Sequence, residues 1–185
     1  MKEKIEIPLS KNKLLLGIGG SLLFVILGIW LFLNAGNFHE NSFRSLSNPI
    51  VAKGIGVLSI LFFGAIGIFG LKKLFDKKVG LTIDSKGITD NSNGSSVGLI
   101  EWNDITDIMT NQVMSTKFLL VIVKNPEKYI EKTNSRMKAK LMRSNMKMYG
   151  TPLSISPNTL KYDFEKLEQL ILTEFKRNKT LINNE

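Results

Sequence analysis

The chain has 185 residues, a formal net charge of +9, no cysteine and one histidine. The missing cysteine excludes disulfides, thiolate metal sites and cysteine nucleophiles, and one histidine is too few for an ordinary zinc or non-haem iron centre. The 43% hydrophobic content is ordinary as an average, but the apolar residues crowd into two blocks before Leu71, so a small domain with a membrane anchor fits the length better than one uniform domain.

Residues 1–13 read as a short cytoplasmic tail. From Leu14 to Asn34 there is no charged residue, and at 1.5 Å per residue this run crosses a hydrocarbon core of about 30 Å. A cleaved signal peptide is the competing reading, since Lys11 and Lys13 resemble a charged n-region and Ala35 and Gly36 are small. The apolar run is too long for that, and no small-x-small site follows it. Residues 35–53 then form an outer loop, in which His39 beside Glu40 is a solvated residue. The second span, residues 54–71, is shorter and borrows Pro49 to Ala52, with Lys53 snorkelling to the interface.

Lys2, Lys4, Lys11 and Lys13 precede the first span and Lys72, Lys73, Lys77 and Lys78 follow the second, whereas the loop holds only Arg44 and Lys53. The positive-inside rule therefore predicts a multi-pass protein of the cell membrane with both termini cytoplasmic. Trp30 and Phe32 suit an anchor at the outer interface. No carboxylate, lysine or arginine lies within either apolar run, so the usual marks of a proton relay or ion path are missing. Glycines at 17, 19, 20 and 28 and at 54, 56, 64, 67 and 70 let helix backbones approach closely, either within the hairpin or between copies in a homo-oligomer.

Residues 79–176 change period and read as a cytoplasmic domain. Val79 to Asp84 alternates and ends in the turn Asp84-Ser85-Lys86-Gly87, and Gly87 to Asp90 reads as a returning strand. Asn91 to Ser96 is a polar loop whose Asn93-Gly94 favours a tight hairpin before a strand at Val97 to Trp102. Trp102 to Ile105 is a strand end passing into a short turn, with Ile105 and Ile108 spaced to dip into the core. Lys117 to Val123 is the strongest strand signal, and Asn125-Pro126 opens a helix that ends near Tyr149-Gly150.

Between Lys132 and Lys147 there are six basic residues and no acidic one. On a continuous helix Lys132, Arg136, Lys140, Arg143 and Lys147 fall within about 80° of one another. Met137, Leu141 and Met148 lie to one side of this stripe, Met142 and Met146 to the other. Such a stripe is either a solvated helix face whose methionines pack on the sheet, or a contact for an anionic membrane surface or an acidic protein. Each Lys or Arg near an anionic leaflet contributes roughly 1 kcal/mol. Nucleic acid is a poor fit as a partner, because no recognition motif or interleaved aromatics accompany the charge.

Thr151 to Ser156 alternates as a final strand. A helix capped by Asp163 follows, with Phe164, Leu167, Leu170, Ile171 and Phe175 on one face, before a frayed polar tail over residues 177–185. The sum is an α+β protein: a two-helix transmembrane hairpin, then a bent antiparallel sheet or partial barrel closed by a C-terminal capping helix.

The segments Val79-Gly-Leu-Thr-Ile-Asp84, Lys86-Gly-Ile88, Gly98-Leu-Ile-Glu-Trp-Asn-Asp-Ile105 and Gly150-Thr-Pro-Leu-Ser-Ile155, following a hydrophobic hairpin, resemble the bacterial membrane proteins with a pleckstrin-homology-like (PH-like) domain. The resemblance implies seven strands in a strongly bent sheet with a C-terminal helix, core or turn roles for Trp102 and Ile105, and no catalytic residue. The helical stretch from Asn125 to Tyr149 departs from that pattern. Such domains serve as docking modules with varied partners.

No enzyme signature emerges. Asp84, Asp90, Asp104 and Asp107 sit at hairpin ends and turns, where aspartate bonds locally, and no phosphate-binding glycine loop occurs outside the apolar runs. The residues therefore predict no catalytic site, cofactor or metal. The expectation is a non-enzymatic docking module at the inner leaflet, integral to the lipid bilayer, that binds protein or anionic lipid headgroups through Lys132, Arg136, Lys140, Arg143 and Lys147. The alternative is a structural subunit assembled through its glycine-rich helices.

Overall fold

The structure is a computed structural model that describes residues 4–38 and 48–182. His39 and residues 40–47 of the expected outer loop lie outside the described residues. The chain divides into two units, one comprising Met1–Ser10 with Lys78–Glu185 and the other Lys11–Lys77.

The second unit is a pair of helices, α1 (Lys11–Leu33) and α2 (Pro49–Leu74), of 23 and 26 residues. Both are long and apolar enough to cross a membrane. Asn48 caps α2 by accepting from the Ile50 N–H at 2.9 Å, and Pro49 follows in the first turn, so the helix begins before the expected boundary at residue 54. The two helices meet through their small residues. A Cβ on Gly56 would lie 2.7 Å from the Gly28 carbonyl oxygen, and one on Gly28 would lie 3.0 Å from the Gly56 carbonyl oxygen. Gly67 and Gly70 likewise accommodate Ser21 and Ile18. Ser59 Oγ donates to the Phe24 carbonyl at 3.0 Å, and Phe24 stacks on Phe63 with centroids 4.3 Å apart. Leu16, Leu22, Leu23, Leu58, Leu61, Phe62 and Ile68 are exposed, an apolar perimeter that water solvates poorly.

The first unit is mixed α+β. Among the described residues it carries seven strands in two antiparallel sheets: β1 (Ile5–Ile7), β2 (Leu81–Ile83), β3 (Gly87–Asp90) and β4 (Gly98–Glu101) in one, and β5 (Ile105–Val113), β6 (Thr116–Val123) and β7 (Leu153–Ile155) in the other. Each sheet keeps its strands in sequence order. Three helices complete the unit: α3 (Pro126–Glu131), α4 (Arg136–Tyr149) and α5 (Phe164–Ile182).

The segment read from sequence as a tail supplies β1, whose Ile5, Glu6 and Ile7 pair with Ile83, Thr82 and Leu81. Three alternating residues before a long apolar run carry too short a period to stand out, and their partner lies beyond the whole hairpin. The Asp84 turn forms as expected, with Asp84 Oδ1 accepting from the Lys86 and Gly87 N–H groups. Gly87 is required there because a Cβ would stand 2.0 Å from the Ile100 carbonyl oxygen.

The β3–β4 connection is wider than the expected tight hairpin: Asp90 pairs with Gly98, leaving residues 91–97 as a loop. Asp90 holds it open by accepting from the Ser92 N–H and the Ser96 hydroxyl. Trp102 to Asp104 is a 3₁₀ turn, as the strand-to-turn reading expects, but Ile105 then begins a nine-residue strand that was not anticipated. A register shift between Ile105 and Asp107 puts Ile105 and Ile108 on one buried face three positions apart, which hides the period of two.

One core serves the unit. It joins Ile7, Leu81, Ile83, Ile88 and Ile100 from one sheet to Leu119, Val121, Leu153 and Ile155 from the other, with Trp102 and Ile105 buried between. The α5 face of Phe164, Leu167, Ile171 and Phe175 packs into it. Asp163 caps α5 through the Glu165 and Lys166 N–H groups. That helix runs on to Ile182, so most of the residues expected to fray are helical; Asn178 is buried and Lys179 Nζ donates to the Thr106 carbonyl at 3.4 Å.

Candidate functional site

The basic stretch folds as two helices joined by a break. Asn125 Oδ1 accepts from the Lys128 N–H and starts α3, which ends at Glu131. Ser135 then accepts from the Lys138 N–H at 3.4 Å and starts α4, which Gly150 closes in the left-handed region at φ 76°. Lys132 therefore lies outside α4, and its Nζ donates to the Leu99 carbonyl at 3.2 Å. The other four residues of the expected stripe, Arg136, Lys140, Arg143 and Lys147, share α4 and fall within about 60° of one another at 3.6 residues per turn.

Packing fixes the rotation of α4. Met142 is fully buried and Ala139 packs beside it, while Lys138 Nζ donates to the Ser96 carbonyl. Lys138 was not singled out from sequence, since it lies off the stripe, yet it is the base that ties the helix down. Of the flanking apolar residues only Met142 joins the core. Met137, Met148 and Leu141 are 75%, 61% and 48% exposed and lie within about 40° of one another beside the basic band. Arg143 pairs with Glu127 at 3.1 Å, leaving Arg136, Lys140 and Lys147 without an ion-pair or hydrogen-bond partner among the described residues.

On the far side of the apolar band lies an open groove of about 310 Å³ lined by Asn93, Ser95, Phe118, Leu141, Asn145 and Tyr149, among others. The ring of Phe118 meets that of Tyr149 edge-on at 5.4 Å. The 91–97 loop forms one wall through bonds that sequence inspection missed. Asn93 Nδ2 donates to the Ser154 carbonyl, Asn93 Oδ1 accepts from the Ser95 N–H and hydroxyl, Ser92 Oγ accepts from the Ser156 N–H at 3.0 Å, and the Thr159 hydroxyl donates to the Ser92 carbonyl. The run Asn-Ser-Asn-Gly-Ser-Ser was its only signal, a set of short side chains suited to bonding backbone.

A polar cluster joins the 3₁₀ turn to α3. Lys128 Nζ lies 2.6 Å from Asp104 Oδ2 and 3.2 Å from Glu101 Oε2, and the buried Tyr129 hydroxyl donates to Asp104 at 2.7 Å while accepting from the Glu101 N–H. The Lys128 ammonium, helped by the Tyr129 hydroxyl, holds the Asp104 carboxyl below the usual carboxylate range. Asp104 and then Glu101 raise Lys128 in turn. Burial, followed by the bond to Asp104, pushes the Tyr129 phenol up to about 12. A phenol so far above neutrality keeps its proton, so the cluster behaves as a clamp. Asp84 and Asp90 bond their own turns, and Asp107 Oδ1 accepts from the next N–H. Asp84, Asp90 and Asp107 thus bond locally as the turn reading expects, whereas Asp104 departs from it, its carboxylate being engaged by Lys128 and Tyr129 of α3.

No family model, curated protein or solved structure matches this chain.

Proposed function

We propose that this protein is a membrane-anchored, non-enzymatic docking module whose PH-like domain works at the inner leaflet and binds protein or anionic lipid headgroups there. The observation that carries the reading is the outward face of α4, where Arg136, Lys140 and Lys147, without partners among the described residues, run beside an exposed apolar band on a helix whose rotation the core fixes. A merely solvated face would not need Met137, Leu141 and Met148 in water.

Two further features support it. Two antiparallel sheets followed by a final helix support the reading at the level of a mixed α+β domain. The pairing of β1 with β2, strands before and after the apolar hairpin, supports a topology with both ends of the hairpin on one side of the membrane. The lysines at both ends favour the cytoplasmic side.

A structural subunit of a larger membrane complex, including a homo-oligomer, is the second reading. It draws on Gly17, Gly19, Gly20, Gly54 and Gly64, around which an added Cβ would meet nothing within 4 Å, so that small residues remain on the outer surface of the hairpin. Reversing Arg136, Lys140 and Lys147 to glutamate in the full chain separates the two. Loss of a cross-linked or co-purified partner with helix-driven assembly intact supports docking. Unchanged association after charge reversal would sink the docking reading in favour of the structural one.

A further inference from the structure

We infer that the occupant of the α4 face is the anionic bilayer surface itself, with Arg136, Lys140 and Lys147 on lipid phosphates and Met137, Leu141 and Met148 entering the headgroup–acyl boundary. The inference rests on the reading of the hairpin as membrane-spanning and deepens it by naming the partner and the contacting side chains.

The two bands run parallel along one 14-residue helix. A helix lying in a membrane interface needs that arrangement: cations that reach phosphates from long stems, next to flexible apolar side chains that enter the boundary without a shaped receptor. The cations lie outside the neighbouring groove, which Leu141 borders and which opens on the side of the apolar band away from them. A protein ligand would look for concavity, whereas a lipid surface needs none.

The structure also separates contacting bases from the rest. Arg143 is engaged by Glu127, Lys132 by the Leu99 carbonyl and Lys138 by the Ser96 carbonyl, so three of the six basic residues of the stretch serve the fold. The three without partners among the described residues lie within about 40° on α4, which is the charge complement of an anionic plane. The tether raises the local concentration of such a plane, so a modest contact suffices.

The natural absence of cysteine permits single nitroxide labels in the full chain. Met137→Cys and Met148→Cys report on α4 and Leu61→Cys on the hairpin, each in nanodiscs of phosphatidylcholine alone or mixed with phosphatidylglycerol. The expected result is lipid-like oxygen accessibility at Leu61 in both discs. At Met137 and Met148 the ratio of oxygen to nickel-chelate accessibility should rise several-fold only with phosphatidylglycerol. That rise should fall at high salt and vanish in the Arg136→Glu/Lys140→Glu/Lys147→Glu background. A lipid-exposed Leu61 with aqueous Met137 and Met148 in every disc would overturn the α4 proposal and leave the hairpin reading standing. Shielding of Met137 in both discs, indifferent to charge reversal, would point to a protein or a second copy and also overturn it. An aqueous Leu61 would overturn the hairpin reading and this inference with it.

Discussion

Ile7 lies opposite Leu81 in the β1–β2 pair, with the whole apolar hairpin between them in the chain. Both side chains belong to the core. The domain therefore completes its first sheet only after the hairpin has been made, and a strand on each side of the hairpin is locked to the other by backbone bonds.

Ile7→Ala should for this reason destabilise the domain by about 2–5 kcal/mol, the range for truncating a buried isoleucine. Glu6→Ala, on the exposed side of the same strand and ion-paired with Lys4, should stay within about 0.5 kcal/mol. Urea unfolding of the detergent-solubilised chain checks both. A fragment beginning at Val79 should be less stable and more prone to associate than a fusion of residues 1–10 to 78–185 through a Gly-Ser linker, since it leaves the β2 edge unpaired. Equal stability of the two would mean that β1 contributes nothing.

Gly56 and Gly19 offer a matched pair in the hairpin. A side chain at Gly56 must displace the Gly28 backbone or Phe32, whereas at Gly19 it meets open space. Gly56→Leu should weaken α1–α2 packing by about 1–3 kcal/mol, the usual cost of overpacking, while Gly19→Leu should leave it unchanged. Fluorescence energy transfer between labels on the two helices during denaturation in mild detergent distinguishes them. Comparable losses would show that the contact surface is not the one described.

Much of this was legible in the sequence because it rests on local chemistry. The apolar runs, the Asp84 turn, the Asn125-Pro126 helix start and the Asp163 cap each announce themselves within a few residues. What stayed hidden depends on distant partners: β1 waits for β2, β5 is masked by the shift near Ile105, and Asn93 acts through Ser154. The basic stripe was half legible. Its periodicity is real over α4, but the break before Arg136 removes Lys132, and only packing tells Met142 from Met137.

Asn93→Ala tests the hidden loop. The change leaves the Ser154 carbonyl without the Asn93 donor and deprives the Ser95 N–H and hydroxyl of their acceptor, so a loss of about 1–3 kcal/mol is expected. Hydrogen exchange should accelerate across residues 91–97 and at β7, which Asn93 joins through the Ser154 carbonyl. Faster exchange confined to the loop would mean that the bond to Ser154 does not couple it to the second sheet.

The clamp of Asp104, Lys128 and Tyr129 predicts the pH dependence of stability. Asp104 titrates lower folded than unfolded, where a carboxyl of its kind has a pKa of about 3.9, so its contribution is present above about pH 4 and is lost as pH falls through the folded value. Tyr129 runs the other way. Its unfolded phenol ionises near pH 10 and its folded one at about 12, so the unfolded state gains between those values and stability falls as pH rises. Lys128, raised when folded, adds to the same alkaline loss. Tyr129→Phe keeps the ring in the core but strips the donor from Asp104 and the acceptor from the Glu101 N–H, costing about 1–2 kcal/mol near neutrality. It should also make the alkaline decline shallower without abolishing it, because Lys128 remains. Lys128→Met removes the main cause of the low Asp104 value and should move the acid midpoint upward. Urea midpoints from pH 3 to 12 for the three proteins carry the test, and an alkaline leg as steep in Tyr129→Phe as in the native chain would show that this phenol does not titrate as its surroundings dictate.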